Sequence, residues 1–369
     1  PVEPTWPEAD VIVGNPPLLG SKRMREELGD SYVETLRSLY SEIPGGVDLV
    51  TYWFEKARSL ISDNPTSRAG LIATQSIRAG ANREVLERIK NSGSIFMAWS
   101  DRPWILDGAA VRVSIIGFDS GVETEFVLDG KVVESIHSDL TSKSDLTKAE
   151  RLDENSEFAF QGPIKVGPFD IEKSLADKML NESLNVNGRP NSDVVKPTIN
   201  ATDLVKNSRQ KWTIDFDSMS QEEAAQYEVP FEYVKENVLP VRLSKGSKDR
   251  YDIWWQYLRP RPELRDAIGD KPRCIATPRV SKHRIFDWIP SNAVPDTRIY
   301  VFPRDDDYFF GVLHSRIHEV WSLATSSRHG VGNDPTYNNT TCFETFPFPW
   351  QPGQEPSDDP RVVDIATAD

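Results

Sequence analysis

Residues 10–20, DVIVGNPPLLG, contain the feature that decides the fold of this chain. The apolar residues 11–13 favour a β-strand, and they run directly into Gly-Asn-Pro-Pro at 14–17. Because proline lacks an N–H and has a fixed φ, these residues can neither continue a sheet ladder nor form the interior of a helix. The sequence therefore predicts a strand that ends on a rigid turn, from which the amide side chain of Asn15 projects.

The composition is that of a folded protein with more than one domain. The chain has 369 residues, of which 38% are hydrophobic, and this length exceeds what one small core holds. No apolar run approaches a membrane span and no signal-peptide pattern opens the sequence, so we expect no membrane association. Cys274 and Cys342 are the only cysteines, which excludes a disulfide framework and a CxxC zinc pattern. This cysteine usage is typical of the reducing cytoplasm.

Strand and helix signals alternate over residues 10–120. Apolar positions in 47–61 follow the 3.6-residue helical period, with Asp48 placed as an N-cap or first-turn carboxylate. Residues 69–77 and 109–118 have the composition of strands, and the second is apolar enough to be central. Alternating strands and helices predict a parallel, wound α/β sheet.

The pattern changes after about residue 121. Two alternating apolar runs flank Asp129-Gly130, which predicts a β-hairpin. The polar stretch 137–157 predicts a loop. We expect three segments: a catalytic domain over 1–160, a second domain over 161–349, and a linker or the start of a helical domain over 350–369.

A basic segment interrupts an otherwise acidic chain. Residues 241–290 contain twelve Lys or Arg and six Asp or Glu, whereas the whole chain has a net charge of −14. Such a segment is typical of a surface that binds a polyanion, although a solvated face of mixed charge is the alternative. The candidate contacts to such a polyanion, which include one residue after this segment, are Arg242, Lys245, Arg279, Lys282, Arg284 and Arg328.

An asparagine held rigidly at the end of a strand suits one kind of chemistry. In wound sheets, ligands bind at the carboxyl ends of the strands. The Asn15 amide and the adjacent Pro16 carbonyl can both accept hydrogen bonds from a single –NH2 group. Methylation of an aromatic amine requires this, because fixed acceptors favour the pyramidal nitrogen that attacks a methyl sulfonium.

Several ordered motifs resemble those of a known enzyme family. Residues 15–17 resemble motif IV of N6-adenine DNA methyltransferases, and DLVTYWF (48–54), GLIATQSI (70–77) and WILDGAAVRVSIIGF (104–118) are similar to the segments that follow it. Four later stretches resemble the target-recognition domain of MmeI-type enzymes. They are SDVVKPTINATDL, PRVSKHRIFDW, FGVLHSRIHEVW and HGVGNDPTYNNTTCFETFPFPW.

The resemblance implies a partial Rossmann-like class I methyltransferase sheet, of the α/β class, followed by a mixed α+β target-recognition domain. It implies methyl transfer from S-adenosylmethionine to an adenine flipped out of double-stranded DNA, in a restriction–modification or phage-defence system. Asn15 and the Pro16 carbonyl would hold the adenine amine, and Pro17 would set the turn. Leu18 stands where the family has a stacking aromatic and would pack against the base. Trp104, in the loop before the late strand, is a second candidate for stacking, although a tryptophan of the core is the alternative.

The cofactor side of the family pattern is incomplete in this sequence. The glycine-rich cofactor motif and an acidic ribose-binding residue should precede motif IV, but only nine residues precede Asp10. We therefore expect the cofactor-binding residues to lie upstream of Pro1, and Asp48 is the one candidate cofactor contact within the chain. The corresponding predictions are weak binding of S-adenosylmethionine and a missing methyltransferase half that the same or a separate chain supplies.

Other functions have weaker support. A non-catalytic DNA-binding specificity module is the main alternative, and methylation of a protein glutamine leaves the basic second domain unexplained. His314 and His318 have the i, i+4 spacing of helical metal ligands, but without a third ligand we expect a buried polar pair and no metal site. We interpret Glu55 as helix surface rather than as part of a nuclease.

Overall fold

The strand of the quoted stretch lies at one edge of a six-stranded sheet in the computed structural model of the chain. The structure describes residues 5–64, 67–106, 109–142, 146, 149–206, 209–244, 251–329, 334–356 and 358–359, without the side chains of 106, 109, 110, 251, 328 and 329. The chain divides into two compact units, residues 1–149 and 150–369.

The first unit combines six strands with four α-helices among its described residues. The elements are β1 (Val11–Gly14), α1 (Ser21–Leu28), α2 (Asp30–Leu39), α3 (Val50–Asp63), β2 (Arg68–Thr74), α4 (Arg83–Ser92), β3 (Ser94–Leu106), β4 (Ala109–Asp119), β5 (Phe126–Leu128) and β6 (Lys131–Val133). The order of the strands in the sheet is β1-β2-β4-β3-β5-β6. The α/β class expected from the sequence is confirmed.

The sheet is mixed rather than wholly parallel, which corrects one expectation. β1 pairs with β2 in parallel and β3 pairs with β5 in parallel, but β4 runs antiparallel to both of its neighbours. β3 and β4 follow each other with only residues 107–108 between them, and a parallel pair needs a crossover of a dozen or more residues. The prediction that β4 lies inside the sheet is correct, since it pairs with β2 on one side and β3 on the other.

Helix α3 covers this sheet with the apolar face that its period predicts. Phe54, Ala57 and Ile61 are buried against residues of β2 and β4, and the ring of Phe54 stacks on Phe118 with centroids 5.9 Å apart. Burying a side chain of the size of phenylalanine stabilises a fold by about 1.5–3 kcal/mol. The core of the first unit thus holds α3 against β2 and β4.

Two details of the first unit test the sequence patterns. Asp129 and Gly130 join β5 to β6 with φ of 52° and 78°, which is the pair of left-handed residues that the predicted hairpin turn requires. Helices α1 and α2 were not predicted, although they bury Met24 and Val33 in a second apolar cluster. They have only 8 and 10 residues and are separated by Gly29 alone, so neither contains a long run of the helical period.

The second unit contains two four-stranded sheets and a two-stranded ribbon. Its elements are β7 (Phe160–Gln161), β8 (Asp170–Ile171), α5 (Lys173–Leu180), β9 (Val195–Ile199), α6 (Ala201–Val205), β10 (Trp212–Ile214), α7 (Gln221–Ala225), α8 (Glu228–Ser244), α9 (Pro262–Ile268), β11 (Arg273–Pro278), β12 (Asp287–Pro290), β13 (Val294–Pro295), β14 (Ile299–Phe302), α10 (Asp307–His314), α11 (Arg316–Thr325), β15 (Arg328–His329) and β16 (Asp334–Pro335). The sheets have the orders β13-β9-β10-β8 and β12-β11-β14-β7, and β15 pairs with β16. None of the described helices is both long and apolar enough to cross a membrane.

A buried asparagine ties the start of the second unit to its far end. The Asn155 side chain donates to the main-chain oxygens of Phe343, Glu344 and Phe346, and the Leu152 N–H donates to Glu344. These contacts explain why the second unit begins at residue 150, before the boundary at residue 160 that the sequence predicts.

Candidate functional site

The carboxyl ends of β1, β2 and β3 lie at the same end of the six-stranded sheet. We call this end the carboxyl edge, to distinguish it from the lateral edge that β1 forms. β1 and β2 are parallel, and β2 and β3 both run antiparallel to β4, so these three strands share one direction. Asn15 follows the last residue of β1 and therefore lies at the edge where wound α/β sheets bind their ligands.

The residues of this turn differ sharply in exposure. Pro16 is buried, whereas the Asn15 side chain beside it is exposed and makes no hydrogen bond to any residue that the structure describes. Gly14 allows a close approach to β2, since a Cβ at this position would lie 3.3 Å from Cδ2 of Leu71. The backbone is therefore anchored while the amide remains open to a ligand.

Leu18 is half-buried and packs against the core of the first unit. This contact fixes the chain after the two prolines. We call residues 15–20 the NPP loop. Its position thus depends on Pro16 at one end and Leu18 in the middle.

The far end of the NPP loop is held by Asp48. Its Oδ1 accepts a hydrogen bond from the Ser21 N–H at 2.9 Å, and its Oδ2 accepts from Ser76 Oγ and Asn82 Nδ2, both at 2.9 Å. The Asp48 N–H in turn donates to Oδ1 of Asn82 at 2.8 Å. Three segments of the first unit, around Ser21, around Asp48 and between β2 and α4, meet at this carboxylate.

This arrangement corrects the expected helix-capping role of Asp48. Helix α3 begins at Val50, with Leu49 in the capping position and no side-chain cap. Sequence reasoning missed Ser21, Ser76 and Asn82, which lie 27 to 34 residues from Asp48 along the chain. Contacts over such separations leave no periodic signal in the sequence.

Trp104 lies in β3 rather than in a loop, which corrects its predicted setting. The last residue pair between β2 and β4 is Thr74 with Val113. The β3–β4 hairpin extends beyond this pair, at the carboxyl edge where Asn15 lies. Within the projecting part, Trp104 pairs with Val111 and its side chain is 37% exposed. An aromatic face is thus available at the site edge.

Two family models match this chain in the order of its two units. The model described as the MmeI DNA-methyltransferase domain matches residues 4–129, and the model of the MmeI target recognition domain matches residues 168–350. The chain belongs to the MmeI-like restriction–modification methyltransferase family. We therefore call the second unit the target recognition domain.

Known proteins resemble most of the chain. DNA methyltransferase A of Bacillus subtilis (strain 168) is 24% identical over 362 residues, which cover 92% of this chain and 39% of the relative. The structure of the type IIL restriction–modification enzyme MmeI in complex with DNA matches with a TM-score of 0.74 at 19% identity, over 92% of this chain and 46% of MmeI. The MmeI-like chain thus spans less than half the length of these relatives.

Two of the cations that the sequence predicts as DNA contacts are buried in the target recognition domain. Arg242 is 6% exposed, and its guanidinium donates to the main-chain oxygens of Lys165, Val166, Ile253 and Gln256. Burial lowers the pKa of Arg242 from its ordinary value. Because its guanidinium donates to these four carbonyls, Arg242 is a structural residue, which corrects its prediction as a DNA contact.

Arg284 is the second buried cation and needs the same correction. It is 7% exposed and donates to Thr277 Oγ1 and to the main-chain oxygens of Pro278 and Pro335. Its guanidinium also lies over the ring of Tyr337, 5.0 Å from the centroid. Arg284 therefore connects β11 with β16.

Arg279 and Lys282 are exposed, in contrast to Arg284. They lie between β11 and β12, where no acidic side chain of the described residues pairs with either. Lys245 and the side chain of Arg328 lie outside the described residues. These four cations stay predictions as DNA contacts.

His318 is a buried structural histidine of the target recognition domain. It is fully buried and its Nε2 lies 2.9 Å from the hydroxyl of Tyr337, whereas His314 is exposed, so the two do not form the expected buried pair. Burial, and next the charge of Arg284, lower the pKa of His318 to about 3. The described residues contain no group of three or more potential metal ligands.

The neutral state of His318 predicts that acid destabilises this domain. An unfolded histidine binds a proton near pH 6.5, but folded His318 does so only near pH 3. The free energy of unfolding should therefore fall as the pH drops below about 6.5, by up to about 1.4 kcal/mol per pH unit. In denaturant titrations, His318→Gln should flatten this dependence between about pH 4 and 6.5, while His314→Gln should leave it unchanged. An equal slope in all three proteins would contradict the role of His318.

Glu55 is buried, which corrects its interpretation as helix surface. It is 6% exposed and accepts hydrogen bonds from Arg58 on its own helix and from Arg88 on α4. Burial opposes ionisation of Glu55, but the two guanidinium groups lower its pKa below the ordinary value. The residue thus connects α3 to α4.

Proposed function

We propose that this chain methylates the N6 amine of an adenine in a specific DNA sequence, as part of a restriction–modification or phage-defence system. The observation that carries the proposal is the exposed amide of Asn15, which has no partner among the described residues, beside the buried Pro16 at the carboxyl edge of the sheet. The membership in the MmeI-like family supports DNA methylation, and the choice of adenine is our inference from the NPP loop.

The chemistry needs two acceptors on one amine. The lone pair of the adenine N6 is delocalised into the ring, so the amine is a poor nucleophile. Oδ1 of Asn15 and the Pro16 carbonyl oxygen would each accept one of its hydrogens, which favours the pyramidal geometry of the attacking nitrogen. Acceptors that are already in place stabilise the transition state without reorganisation.

The adenine must leave the duplex to reach this edge. Extruding a base costs a few kcal/mol, which stacking in the site offsets in part. Trp104 on the projecting hairpin offers an aromatic face, and Leu18 offers an apolar contact within the NPP loop. Stacking on an aromatic ring contributes about 1–3 kcal/mol per base.

We propose S-adenosylmethionine as the cofactor, which supplies an electrophilic methyl group. The described residues supply acceptors for the amine that receives this group, and none of them is assigned to hold the cofactor itself. Asp48, the one candidate cofactor contact within the chain, has both carboxylate oxygens engaged by Ser21, Ser76 and Asn82. We therefore withdraw Asp48 as a cofactor contact.

The sequence predicts that the other cofactor contacts lie upstream of Pro1. The described residues begin at Thr5, so Pro1 itself lies outside them. No contact of the first unit tests this placement. The upstream position of the glycine-rich motif and of the acidic ribose-binding residue therefore stays a prediction.

The open edge of β1 suggests where the rest of the cofactor site lies. Among the described residues β1 pairs only with β2, and Val11 and Val13 are 55% and 81% exposed. An unpaired strand with exposed valines is a template for a further strand. We propose that a methyltransferase segment of the same or a separate chain pairs here and holds the nucleoside end of the cofactor.

A non-catalytic specificity module is the second candidate, and the open β1 edge favours it for this chain taken alone. Product analysis separates the two. DNA from cells that express the full-length protein is digested to nucleosides, and the methylated bases are quantified by mass spectrometry. N6-methyladenine that depends on expression supports our proposal. N4-methylcytosine would overturn the choice of base, and unmethylated DNA with sequence-specific binding would favour the module.

The target recognition domain should bind duplex DNA through exposed cations. Reversing Arg279 and Lys282 to glutamate should weaken binding and reduce the slope of log affinity against log salt, by about 0.9 for each lost phosphate contact. The control reverses Lys178 and Lys235, which are exposed on α5 and α8. Equal salt slopes in the two variants would show that Arg279 and Lys282 do not touch phosphates.

Since the proposed substrate is DNA, we place the activity in the cytoplasm.

A further inference from the structure

We infer that Asp48 is the positioning residue of the NPP loop, an assignment that rests on the proposed methyl transfer. It fixes the chain that follows the two acceptors without touching the substrate. The Ser21 N–H donates to Oδ1 of Asp48, and the neighbouring Leu49 N–H donates to the Leu19 carbonyl at 2.9 Å. Two consecutive residues before α3 therefore hold both sides of Gly20.

The carboxylate is itself held by the segment that follows β2. Ser76 and Asn82 both donate to its Oδ2, and Ser76 is 2.6 Å from Thr74 Oγ1 at the end of β2. The end of β2 is thus linked through Ser76 and Asp48 to Ser21. These hydrogen bonds fix the position of the NPP loop relative to the end of β2.

A carboxylate is required here because Asn82 binds both the side chain and the main chain of Asp48. The Asn82 amide donates to Oδ2 and accepts from the Asp48 N–H. In Asp48→Asn the new NH2 group would face the NH2 group of Asn82. Rotating the Asn82 amide would only move the conflict to the main-chain N–H. One pair of donors therefore stays in conflict.

The same geometry predicts a rescue. In the double variant Asp48→Asn, Asn82→Asp, the carboxylate at position 82 accepts from both the side-chain NH2 and the main-chain N–H of position 48. Oδ1 of the new asparagine still accepts from the Ser21 N–H. The hydrogen bonds to the loop are restored although the charge has moved to the other residue.

The test is steady-state kinetics of the full-length protein on DNA that carries its methylation site. Asp48→Asn should lower kcat by about 100-fold, the cost of a misplacement near 1 Å, and change KM for DNA by less than about twofold. The double variant should recover most of kcat. A kcat of the single variant near the wild-type value, or a double variant as slow as the single one, would overturn the inference.

The matched control is Asp119→Asn, at the end of the sheet opposite the carboxyl edge. The Asp119 carboxylate also accepts three hydrogen bonds, from Ser94 Oγ and from the N–H groups of Gly121 and Glu123, at 2.8 to 2.9 Å. It lies opposite Arg68, where β2 begins. This variant should lose stability but keep kcat. A loss of kcat equal to that of Asp48→Asn would reduce Asp48 to a general stability residue and overturn its role.

Amide hydrogen exchange separates this inference from the proposed function. In Asp48→Asn, the segment 18–28 should exchange about 10-fold faster or more, and the double variant should restore its protection. The readout needs no turnover. If the exchange pattern holds but the wild-type protein forms no N6-methyladenine, the proposed function fails while the loop assignment stands. Unchanged exchange in active protein overturns the assignment alone.

Discussion

Replacing Asn15 with alanine is expected to slow methylation by about 100- to 1000-fold, the usual effect of removing one preorganised hydrogen-bonding group from a transition state. The side chain is exposed and makes no hydrogen bond to the described residues, so the fold should be unaffected. Single-turnover rates with the full-length protein and saturating DNA measure the effect directly. DNA affinity should stay close to that of the wild type.

Asn15→Asp is the matched control for the loss of the acceptor. An aspartate keeps an oxygen in the same place, so it should retain more activity than alanine does. Equal rates for the two variants would mean that the oxygen does not hold the amine. A rate for Asn15→Ala within a few-fold of wild type would remove Asn15 from the site altogether.

Replacing Arg284 with alanine is expected to cost about 3 kcal/mol of unfolding free energy. The substitution leaves the Pro278 carbonyl buried without its donor, at about 1–3 kcal/mol for a stranded acceptor. It also removes one donor from the Pro335 carbonyl, which keeps the Ser281 N–H. It also removes the guanidinium from the face of Tyr337. Urea titrations of the wild type and the variant measure this loss.

Arg279→Ala provides the contrast, because this arginine lies five positions earlier in the same basic segment but is exposed. It should change stability by less than about 0.5 kcal/mol and should instead weaken DNA binding. If Arg284→Ala were as stable as the wild type and reduced the salt slope of DNA binding, Arg284 would be a DNA contact and the structural assignment would be wrong.

Some features of this protein are determined by adjacent residues, and the sequence alone predicts them. The two prolines restrict their own φ angles, so the rigid end of β1 needs no distant contact. The apolar period of α3 and the Asp129-Gly130 turn are local in the same way, and both predictions are confirmed. The methyltransferase and recognition motifs are also short continuous stretches, so their order along the chain is enough to predict the family.

Only the tertiary structure decided which charged residues are exposed. Arg279 and Arg284 belong to one basic segment, and nothing in their neighbours separates the exposed one from the buried one. The difference arises because Pro335, 51 residues away, brings its carbonyl to Arg284. Asp48 is similar, since its three donors come from two distant segments of the first unit, one at Ser21 and one that contains Ser76 and Asn82. A dihedral preference acts within one or two residues, whereas the burial of a charge depends on which distant polar groups the fold brings to it.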